Sequence, residues 1–284
     1  MATSTAADVN PAIVLMFRDT GFDGPEFRTL THHASVKWVH VSGSGYEHIL
    51  PLERDDLLIT NGQGLRSRNL AEMAVGAMIS INSGLIRYHE QQRNKRWQPN
   101  QFVPLEGQTL LLVGTGLIGR WVARYARTLG MRVIGVNRSG TPVEAFDDVR
   151  PMAELDDILP LADVVSLHLR LNDDTRGLFN RDRFKRMRTG TLFMNTARGG
   201  LVDESALIDA LHSGQLRAAY LDVFETEPLP EYSPLWSLEN VLISPHAADM
   251  ISDWEYKAAE FFVENYQCWK SGKDLINVIH MPSA

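Results

Sequence analysis

The chain has 284 residues, of which 44% are hydrophobic and 22% are charged, a composition typical of folded globular proteins and unlike that of disordered or fibrous chains. Its 35 acidic and 28 basic residues give a formal charge of −7, which excludes broad electrostatic binding of nucleic acid, because that binding requires clustered Lys and Arg. The sequence offers no apolar run of the roughly 20 residues that a membrane span needs, no secretory signal at its amino terminus and no partner for its single cysteine, Cys268, so we expect a cytoplasmic protein.

The amino-terminal part predicts a small α/β unit. Strand-like runs lie at residues 12–17, 37–41 and 57–60, and glycine-rich turns at 43–45 and 62–64 follow the last two. Apolar residues then recur at helical spacing over 69–88, and again over 251–270 near the end of the chain. Both helices are therefore candidates for the connections to the rest of the molecule.

Between residues 109 and 244, strands alternate with helices. This is the pattern of a doubly wound parallel sheet with crossover helices, so the fold class is α/β. Gly130 and Gly214 end two of the helices, where a left-handed cap favours glycine. The predicted strands are 109–113, 132–136, 164–168, 191–195, 218–222 and 241–244, and the predicted helices include 117–129 and 204–213.

A glycine fingerprint joins the first of these strands to the first of these helices. Glycines in such a setting allow a tight turn and the close approach of a pyrophosphate, which the amides at the start of the helix then face. A purely structural glycine turn is the alternative, but the strand–turn–helix setting favours a dinucleotide site. The residues are Gly114, Thr115, Gly116, Leu117, Ile118 and Gly119.

The residues after the second strand of this region bear on the choice of cofactor. Asn137, Arg138 and Ser139 stand where an NAD enzyme usually carries Asp or Glu against the ribose hydroxyls. A carboxylate there repels a 2′-phosphate, whereas Arg138 can form charge-assisted hydrogen bonds with it and Ser139 can donate another. We therefore predict a preference for NADP(H). If Arg138 is only a solvated turn residue, NAD(H) binds as well.

Three polar residues lie just after later predicted strands, where open α/β sheets bind their ligands. They are Arg198, Glu227 and His246. Reduction of a 2-oxo acid needs a hydride, a proton for the carbonyl oxygen and a cation for the carboxylate. A histidine beside a carboxylate suits the proton, and arginine suits the anion. Taken singly, each of the three could instead brace a turn or cap a segment.

Four segments together resemble the D-isomer-specific 2-hydroxyacid dehydrogenases, and the resemblance runs from about residue 36 to residue 278. This family includes glyoxylate/hydroxypyruvate reductases, D-lactate dehydrogenases and phosphoglycerate dehydrogenases. The segments are the glycine fingerprint, Asn195-Thr-Ala-Arg-Gly-Gly-Leu-Val-Asp, Leu221-Asp-Val-Phe-Glu-Thr-Glu-Pro-Leu, and Pro234-Leu-Trp-Ser-Leu-Glu-Asn-Val-Leu-Ile-Ser-Pro-His.

The resemblance implies a role for each residue of the site. Arg198 binds the substrate carboxylate and keto oxygen, His246 is the general acid/base, and Glu227 tunes it. Thr196 and Ala197 lie near the nicotinamide ribose, and Asp222 lies against the nicotinamide amide. Ser44, Gly45 and Tyr46 match a loop whose backbone amides hold the substrate carboxylate, which suits the anion-binding property of such turns. No cluster with convincing ligand spacing indicates a metal.

The resemblance also implies the domain arrangement. A Rossmann dinucleotide-binding domain, residues 69–249, is inserted into a second, smaller flavodoxin-like α/β domain, the substrate domain, which comprises residues 1–68 and 250–284. The active site lies in the cleft, which closes on the substrate by hinge motion, and relatives are usually homodimers. The amino-terminal segment is shorter than in relatives, which leaves the completeness of the substrate domain open.

The leading functional hypothesis is an NADP-preferring reductase of a small 2-oxo acid, with glyoxylate or hydroxypyruvate as substrate by analogy with relatives. An NAD-linked D-lactate-type dehydrogenase is the alternative enzyme, and the relative efficiency with the two cofactors separates them. Some relatives are cofactor-sensing interaction proteins without turnover, but the presence of Arg198, Glu227 and His246 weighs against this class. A methyltransferase that uses the glycine loop would leave the same three residues unexplained.

Overall fold

The structure, a computed structural model, describes residues 13–16, 33–44 and 54–280. The chain divides into two compact units. Met1–Arg66 together with Ile251–Ala284 form the first, here named the small unit, and Ser67–Met250 form the second, the large unit.

The described residues form short strands and helices that alternate along most of the chain. The strands are β1 (Ile13–Met16), β2 (Trp38–Val41), β3 (Leu58–Asn61), β4 (Thr109–Val113), β5 (Arg132–Asn137), β6 (Asp148–Pro151), β7 (Val164–Leu167), β8 (Thr191–Asn195), β9 (Leu216–Leu221), β10 (Val241–Ile243) and β11 (Val278–His280). The α-helices are α1 (Ser67–Ser83), α2 (Leu85–Arg93), α3 (Leu117–Thr128), α4 (Leu155–Ile158), α5 (Arg181–Arg186), α6 (Glu204–His212) and α7 (Trp254–Lys270).

The large unit is built on a 7-stranded sheet in the order β10-β9-β8-β7-β4-β5-β6. Every neighbouring pair in it is parallel. The chain enters at β4, proceeds outward to β6 and then crosses to β7, so the direction of winding reverses between β4 and β7. Sheets of this kind bind their ligands at that reversal, beyond the carboxyl ends of the strands. The doubly wound parallel sheet predicted from the sequence is confirmed.

Alternate side chains of the central strands pack on opposite faces of this sheet. On β4, Leu110 and Leu112 belong to one buried cluster, and Leu111 and Val113 belong to the other. The first cluster also takes side chains from α1 and α3, and the second takes them from α5 and α6. Burial on both faces explains why the central strands are continuous apolar runs and not alternating ones.

The edge strand β6 is not among the strands that the sequence predicts. Asp148 and Arg150 interrupt any apolar pattern in it, and all four of its residues retain some exposure. It ends in Pro151, which cannot donate to a ladder and is tolerated at a sheet edge. An exposed edge strand therefore gives no hydrophobic signal that a sequence analysis can detect.

The single helix predicted for residues 69–88 is two helices in the structure. α1 ends at Ser83, Gly84 adopts a left-handed φ of 73°, and α2 continues to Arg93. Glycine takes this conformation without the steric cost of a Cβ. Among the described helices no single one is long and apolar enough to cross a membrane, and α1 with α2 meets the length and composition test only as a pair bent by 64°.

The small unit has a 4-stranded sheet in the order β1-β2-β3-β11. The first three strands are parallel, whereas β11 runs antiparallel to β3. Val39 and Ile59 face an apolar cluster, and Trp38 and His40 pack against Phe262 of α7 with ring centroids 5.3 Å and 5.6 Å away. β11 has 3 residues, too few for an alternating pattern to predict it.

Candidate active site

The side chains of Glu227 and His246 are hydrogen-bonded to each other in the loops that follow β9 and β10. Oε2 of Glu227 lies 2.7 Å from Nδ1 of His246, and Oε1 of Glu227 accepts a hydrogen bond from the N–H of Phe224 at 3.0 Å. Because a carboxylate only accepts hydrogen bonds, Nδ1 of His246 carries a proton and Nε2 is the nitrogen that can exchange one. The pair therefore has the arrangement of an oriented acid/base histidine.

The backbone around His246 is held by Asp222, the residue that follows β9. The carbonyl of Asp222 accepts from the N–H of His246 at 2.8 Å, and its Oδ1 accepts from the N–H groups of Ala247 at 2.9 Å and Ala248 at 3.1 Å. His246 has a φ of 52°, which a residue with a Cβ adopts only where its surroundings impose it. Burial raises the pKa of Asp222, although the hydrogen bonds it accepts act in the opposite direction.

Arg198 follows β8 in a turn that Asn195 shapes. The amide of Asn195, a buried side chain, donates to the carbonyl of Arg198 at 3.0 Å. At Gly199 a Cβ would lie 1.9 Å from the carbonyl of Phe224, so only glycine allows the two loops to approach this closely. Phe224 is also the residue whose N–H binds Glu227. The backbone of Arg198 is thus brought next to the loop that carries Glu227.

The glycine fingerprint separates into two kinds of position. Gly114 has a φ of 114°, and a Cβ on it would lie 2.4 Å from the carbonyl oxygen of His168. A Cβ on Gly119 would lie 2.3 Å from the carbonyl oxygen of Gly114, whereas a Cβ on Gly116 would meet nothing within 4 Å. The first and third glycines are therefore required by the protein's own backbone. The second leaves open space at the start of α3, which suits the approach of a pyrophosphate.

The first turn of α3 adds a cation to this region. Leu117 is 47% exposed, while Ile118 packs against the core under the helix. Arg120 donates from Nε to the carbonyl of Thr115, inside the fingerprint, at 3.2 Å. Arg120 is not among the site residues predicted from the sequence, although its position directly after the third glycine is a signal that could have identified it.

Asn137 shapes the turn after β5. Its Nδ2 donates to Oγ1 of Thr115 at 3.2 Å and to the carbonyl of Thr141 at 2.9 Å, and its Oδ1 accepts from the N–H of Ser139 at 3.2 Å. Both ends of the amide are therefore engaged within the protein. Arg138 and Ser139 are exposed at the tip of the turn, and Arg138 makes no hydrogen bond or ion pair with any residue that the structure describes. This turn presents a guanidinium and a hydroxyl beside the fingerprint.

The buried hydroxyl of Thr196 indicates whether a dinucleotide fits the same edge of the sheet. Its hydroxyl is buried and finds no hydrogen-bond partner among the described residues, a situation that is unfavourable unless a ligand or water supplies one. Ala197 beside it is buried too. An orphaned hydroxyl after β8 and an open cradle at Gly116 are what the polar ribose and pyrophosphate of a nicotinamide dinucleotide would fill, so the residues present fit that cofactor.

The predicted substrate loop lies in the small unit. Ser44 is exposed just after β2, and its carbonyl accepts from Nδ2 of Asn61 at 2.8 Å. Gly45 and Tyr46 lie outside the described residues.

The large unit matches a known family along most of its length. Residues 75–248 match the NAD binding domain of the D-isomer specific 2-hydroxyacid dehydrogenases. The chain belongs to this family. Its members among the relatives and structural neighbours are NAD(P)-dependent oxidoreductases, and the resemblance inferred from the four sequence segments is confirmed.

Individual members of the family show how far the likeness extends. A glyoxylate reductase of Korarchaeum cryptofilum is 32% identical over 247 residues, which cover 83% of this chain and 74% of that enzyme. The chain also matches a D-3-phosphoglycerate dehydrogenase of Methanocaldococcus jannaschii, of which it spans 44%.

Two solved structures of family members superpose on most of the chain. A D-isomer specific 2-hydroxyacid dehydrogenase family protein from Aeromonas salmonicida has a TM-score of 0.84 and 30% identity, covering 94% of this chain and 98% of that one. An NADPH-dependent glyoxylate/hydroxypyruvate reductase from Sinorhizobium meliloti, in complex with NADP and sulfate, has a TM-score of 0.77 and 28% identity, covering 86% and 79%.

Two buried residues whose side chains bond to the backbone or side chains of the site are not among those predicted from the sequence. Asn195 and Ser244 are buried polar side chains, at the end of β8 and just after β10. Both lie inside segments that carry the resemblance, and a polar residue that ends an apolar strand is the signal that could have identified them. Asn195 bonds to the nearby Ala197 and Arg198 in its own turn. The partners of Ser244 are Tyr220 in β9 and Asp222 just after it, and only the fold brings these together.

Proposed function

We propose that this chain is an NADP(H)-preferring reductase of a small 2-oxo acid, with glyoxylate or hydroxypyruvate as substrate. The observation that carries the proposal is the 2.7 Å contact between Glu227 and His246, on a segment that Asp222 fixes. A buried or solvated histidine of no function would need neither a carboxylate on its Nδ1 nor a strained backbone. In this proposal the large unit is the dinucleotide-binding domain and the small unit is the substrate domain.

In the proposed reaction, His246 supplies the proton and a bound nicotinamide cofactor supplies the hydride. Glu227 stabilises the imidazolium and keeps the Nδ1–H oriented, so that Nε2 delivers its proton to the carbonyl oxygen of the substrate. In the reverse direction the same nitrogen removes the proton from the hydroxyl group. Glu227 acts through His246 and does not itself contact the substrate.

Arg198 binds the carboxylate of the substrate and polarises the adjacent carbonyl group. Its planar guanidinium can form two parallel hydrogen bonds to a carboxylate, which fixes orientation as well as charge. The backbone amides of Ser44, Gly45 and Tyr46 are assigned to the same carboxylate by resemblance to the family.

The preference for NADP(H) is assigned to Arg138 and Ser139, with Asn137 shaping their turn. The absence of Asp or Glu among these three residues supports it, since a carboxylate would repel the 2′-phosphate. The Sinorhizobium meliloti neighbour, which is NADPH-dependent and bound to NADP, supports the same assignment. Thr196, Ala197 and Asp222 are assigned to the nicotinamide half of the cofactor.

The test is oxidation of NADPH and of NADH in the presence of glyoxylate, hydroxypyruvate, pyruvate, phenylpyruvate or 2-oxoglutarate. We expect turnover that is faster with NADPH, and a loss of about 10²-fold or more in His246→Ala. His212→Ala, at an exposed histidine that ends α6, is the matched control and retains activity.

Other outcomes of this assay favour the alternatives. Faster turnover with NADH and pyruvate would identify an NAD-linked D-lactate-type dehydrogenase. Cofactor binding without turnover of any acid would identify a cofactor-sensing interaction protein.

We also propose that the protein is a cytoplasmic homodimer, as relatives in the family usually are dimeric. Large apolar side chains on α2 and the segment after it support a second copy as the occupant of this surface: Leu85 is 54% exposed, Trp97 is 99% exposed and Phe102 is 60% exposed. Sedimentation should give a dimer that Trp97→Glu dissociates, while Tyr232→Glu, at a comparably exposed aromatic residue, leaves it intact. A monomeric wild-type protein would contradict this assignment.

A further inference from the structure

A chain of buried hydroxyl groups lies behind the segment that carries His246. Tyr220 in β9 is 0% exposed, Asp222 is 2% exposed and Ser244 is 8% exposed. Oη of Tyr220 lies 2.9 Å from Oγ of Ser244, and Oγ of Ser244 donates to Oδ1 of Asp222 at 2.5 Å. The same Oδ1 accepts the N–H groups of Ala247 and Ala248.

The direction of these hydrogen bonds follows from the number of protons available. An ionised carboxylate has none to donate, so the single hydroxyl proton of Ser244 points to Asp222. Oγ of Ser244 can then only accept from Tyr220, whose hydroxyl is the donor. The chain therefore runs from Tyr220 to Ser244 to Asp222 and ends on the two amides that follow His246.

We propose that Tyr220 and Ser244 are positioning residues, which keep Asp222 ionised through this chain of hydroxyls and thereby fix the backbone of His246. The proposal rests on the proposed function, because it assigns a purpose to the placement of His246. Neither residue contacts the substrate or the cofactor in this account. Both act through Asp222.

Asp222 needs such support because it is buried. Removal from water favours the neutral carboxylic acid and raises its pKa. The hydrogen bond from Ser244 opposes this shift, as do the bonds from Ala247 and Ala248 and the charge of His246. A neutral Asp222 would accept hydrogen bonds more weakly, and the two amides that place His246 would lose part of their anchor.

Tyr220 is suited to donate throughout the neutral pH range. Burial raises the pKa of its phenol to about 12, so the proton remains on Oη and the direction of the chain does not reverse. The titratable groups that act on Asp222 are Tyr220, from β9, and His246, from the loop after β10. Any nearby acceptor would satisfy the hydroxyl of a tyrosine that only fills the core. Here the acceptor is Ser244, which donates in turn to Asp222.

The test compares Tyr220→Phe and Ser244→Ala with a matched loss of a buried hydroxyl elsewhere. Thr191→Val is that control, since Thr191 is 1% exposed and opens β8 at the end opposite Asn195. Its hydroxyl lies 2.6 Å from the carbonyl of Arg188 and 3.1 Å from the carbonyl of Ala162. The ionisation of Asp222 is followed in the full chain by NMR of 13C-labelled aspartate carboxyl groups, with the Asp222 signal identified by its absence in Asp222→Asn. The acidic limb of the pH profile of kcat/KM is recorded on the same proteins.

We expect the titration midpoint of Asp222 to rise by about one pH unit in Ser244→Ala and by about half a unit in Tyr220→Phe, because each variant removes a donor that favours the carboxylate. The acidic limb of kcat/KM should move in the same direction, and Thr191→Val should lose stability without moving either quantity. An unchanged Asp222 midpoint in the two variants would overturn the proposal, and if Tyr220→Phe does not fold, Ser244→Ala decides alone. A wild-type protein without turnover would instead overturn the reductase assignment. The NMR titration would still decide whether Tyr220 and Ser244 keep Asp222 ionised.

Discussion

Glu227 and His246 are 19 positions apart in the sequence, yet their side chains meet at 2.7 Å. Two independent sets of contacts produce this meeting. The N–H of Phe224 binds one oxygen of Glu227 at 3.0 Å and turns the other toward the imidazole, and Asp222 binds the backbone of His246 through its own carbonyl at 2.8 Å. Both loops are therefore anchored to the end of β9.

Replacement of Glu227 by Gln should lower kcat/KM about 10²-fold, with little effect on cofactor affinity. A glutamine whose oxygen accepts from the N–H of Phe224 presents its amide nitrogen to His246, which favours the wrong tautomer and removes the charge that stabilises the imidazolium. Steady-state kinetics across pH would measure the loss. Glu231→Gln, at an exposed carboxylate in the same loop region, should keep wild-type kinetics, and equal rates in the two variants would remove Glu227 from the mechanism.

Replacement of Arg138 by Ala should weaken NADPH binding about tenfold and leave NADH binding unchanged, since only the 2′-phosphate is expected to contact this side chain. Fluorescence titration of the two cofactors provides both dissociation constants. Arg132→Ala is the control, because Arg132 is an exposed arginine at the opposite end of the same strand, β5. An unaltered NADPH affinity in Arg138→Ala would refute the assignment of cofactor preference.

Replacement of Gly116 by Ala should leave the protein folded and weaken dinucleotide binding by at least about tenfold. No heavy atom lies within 4 Å of the added Cβ, and the backbone φ of −71° suits alanine, so the folded protein accepts the methyl group. The same methyl group would occupy the space into which we place the pyrophosphate. Thermal unfolding and cofactor titration together separate these effects.

Gly76→Ala is the control for that variant. Gly76 lies inside α1, and its added Cβ also meets nothing within 4 Å, so the substitution should raise the free energy of unfolding by about 0.5–1 kcal/mol without changing cofactor affinity. Full cofactor binding by Gly116→Ala would show that the fingerprint does not approach a phosphate.

The small unit should lose stability in mild acid because of His40. Its ring is 0% exposed, its Nδ1 lies 2.7 Å from Oγ1 of Thr60, and its Nε2 has no partner among the described residues. Burial lowers the pKa of His40 from 6.5 to about 4. The unfolded state therefore binds a proton more readily than the folded state, so stability is lost as the pH falls from about 6.5 to about 4, with about 2 kcal/mol lost between pH 7 and pH 5.

Urea unfolding followed by tryptophan fluorescence at these two pH values would measure that loss, because Trp38 packs in the same unit. His40→Gln removes the titrating group, so the part of the pH dependence that comes from His40 should disappear, whatever the variant does to stability at pH 7. His212→Gln, at an exposed histidine, should retain the full dependence. A His40→Gln protein that is as acid-sensitive as the wild type would contradict the assignment.

The sequence predicts the central strands better than the edges of the sheets. β4 and β8 fall at the predicted residues. A strand buried on both faces is a continuous apolar run, and such a run can be recognised in the sequence alone. The edge strand β6 is partly exposed along its whole length, and β11 has only 3 residues, so no periodic pattern predicts either strand. The predicted long helix breaks at Gly84 because of its left-handed φ of 73°, and the apolar spacing of the sequence does not predict that angle.

The chemistry of the site divides in the same way. Residue identity alone determined that a glycine fingerprint starts α3, that the turn after β5 carries Arg138 and no acidic residue, and that Arg198, Glu227 and His246 follow strands. These are properties of residue type and chain order. Only the tertiary structure decided that the amide of Asn137 is hydrogen-bonded within its own turn and to Thr115, and that Gly199 must lack a Cβ. It also decided that Asp222 joins Tyr220 and Ser244 to the backbone of the His246 segment. Those relationships depend on hydrogen bonds and close contacts between segments that are distant in the sequence. The segments come within bonding distance, and the side chains become buried, only when the sheet forms.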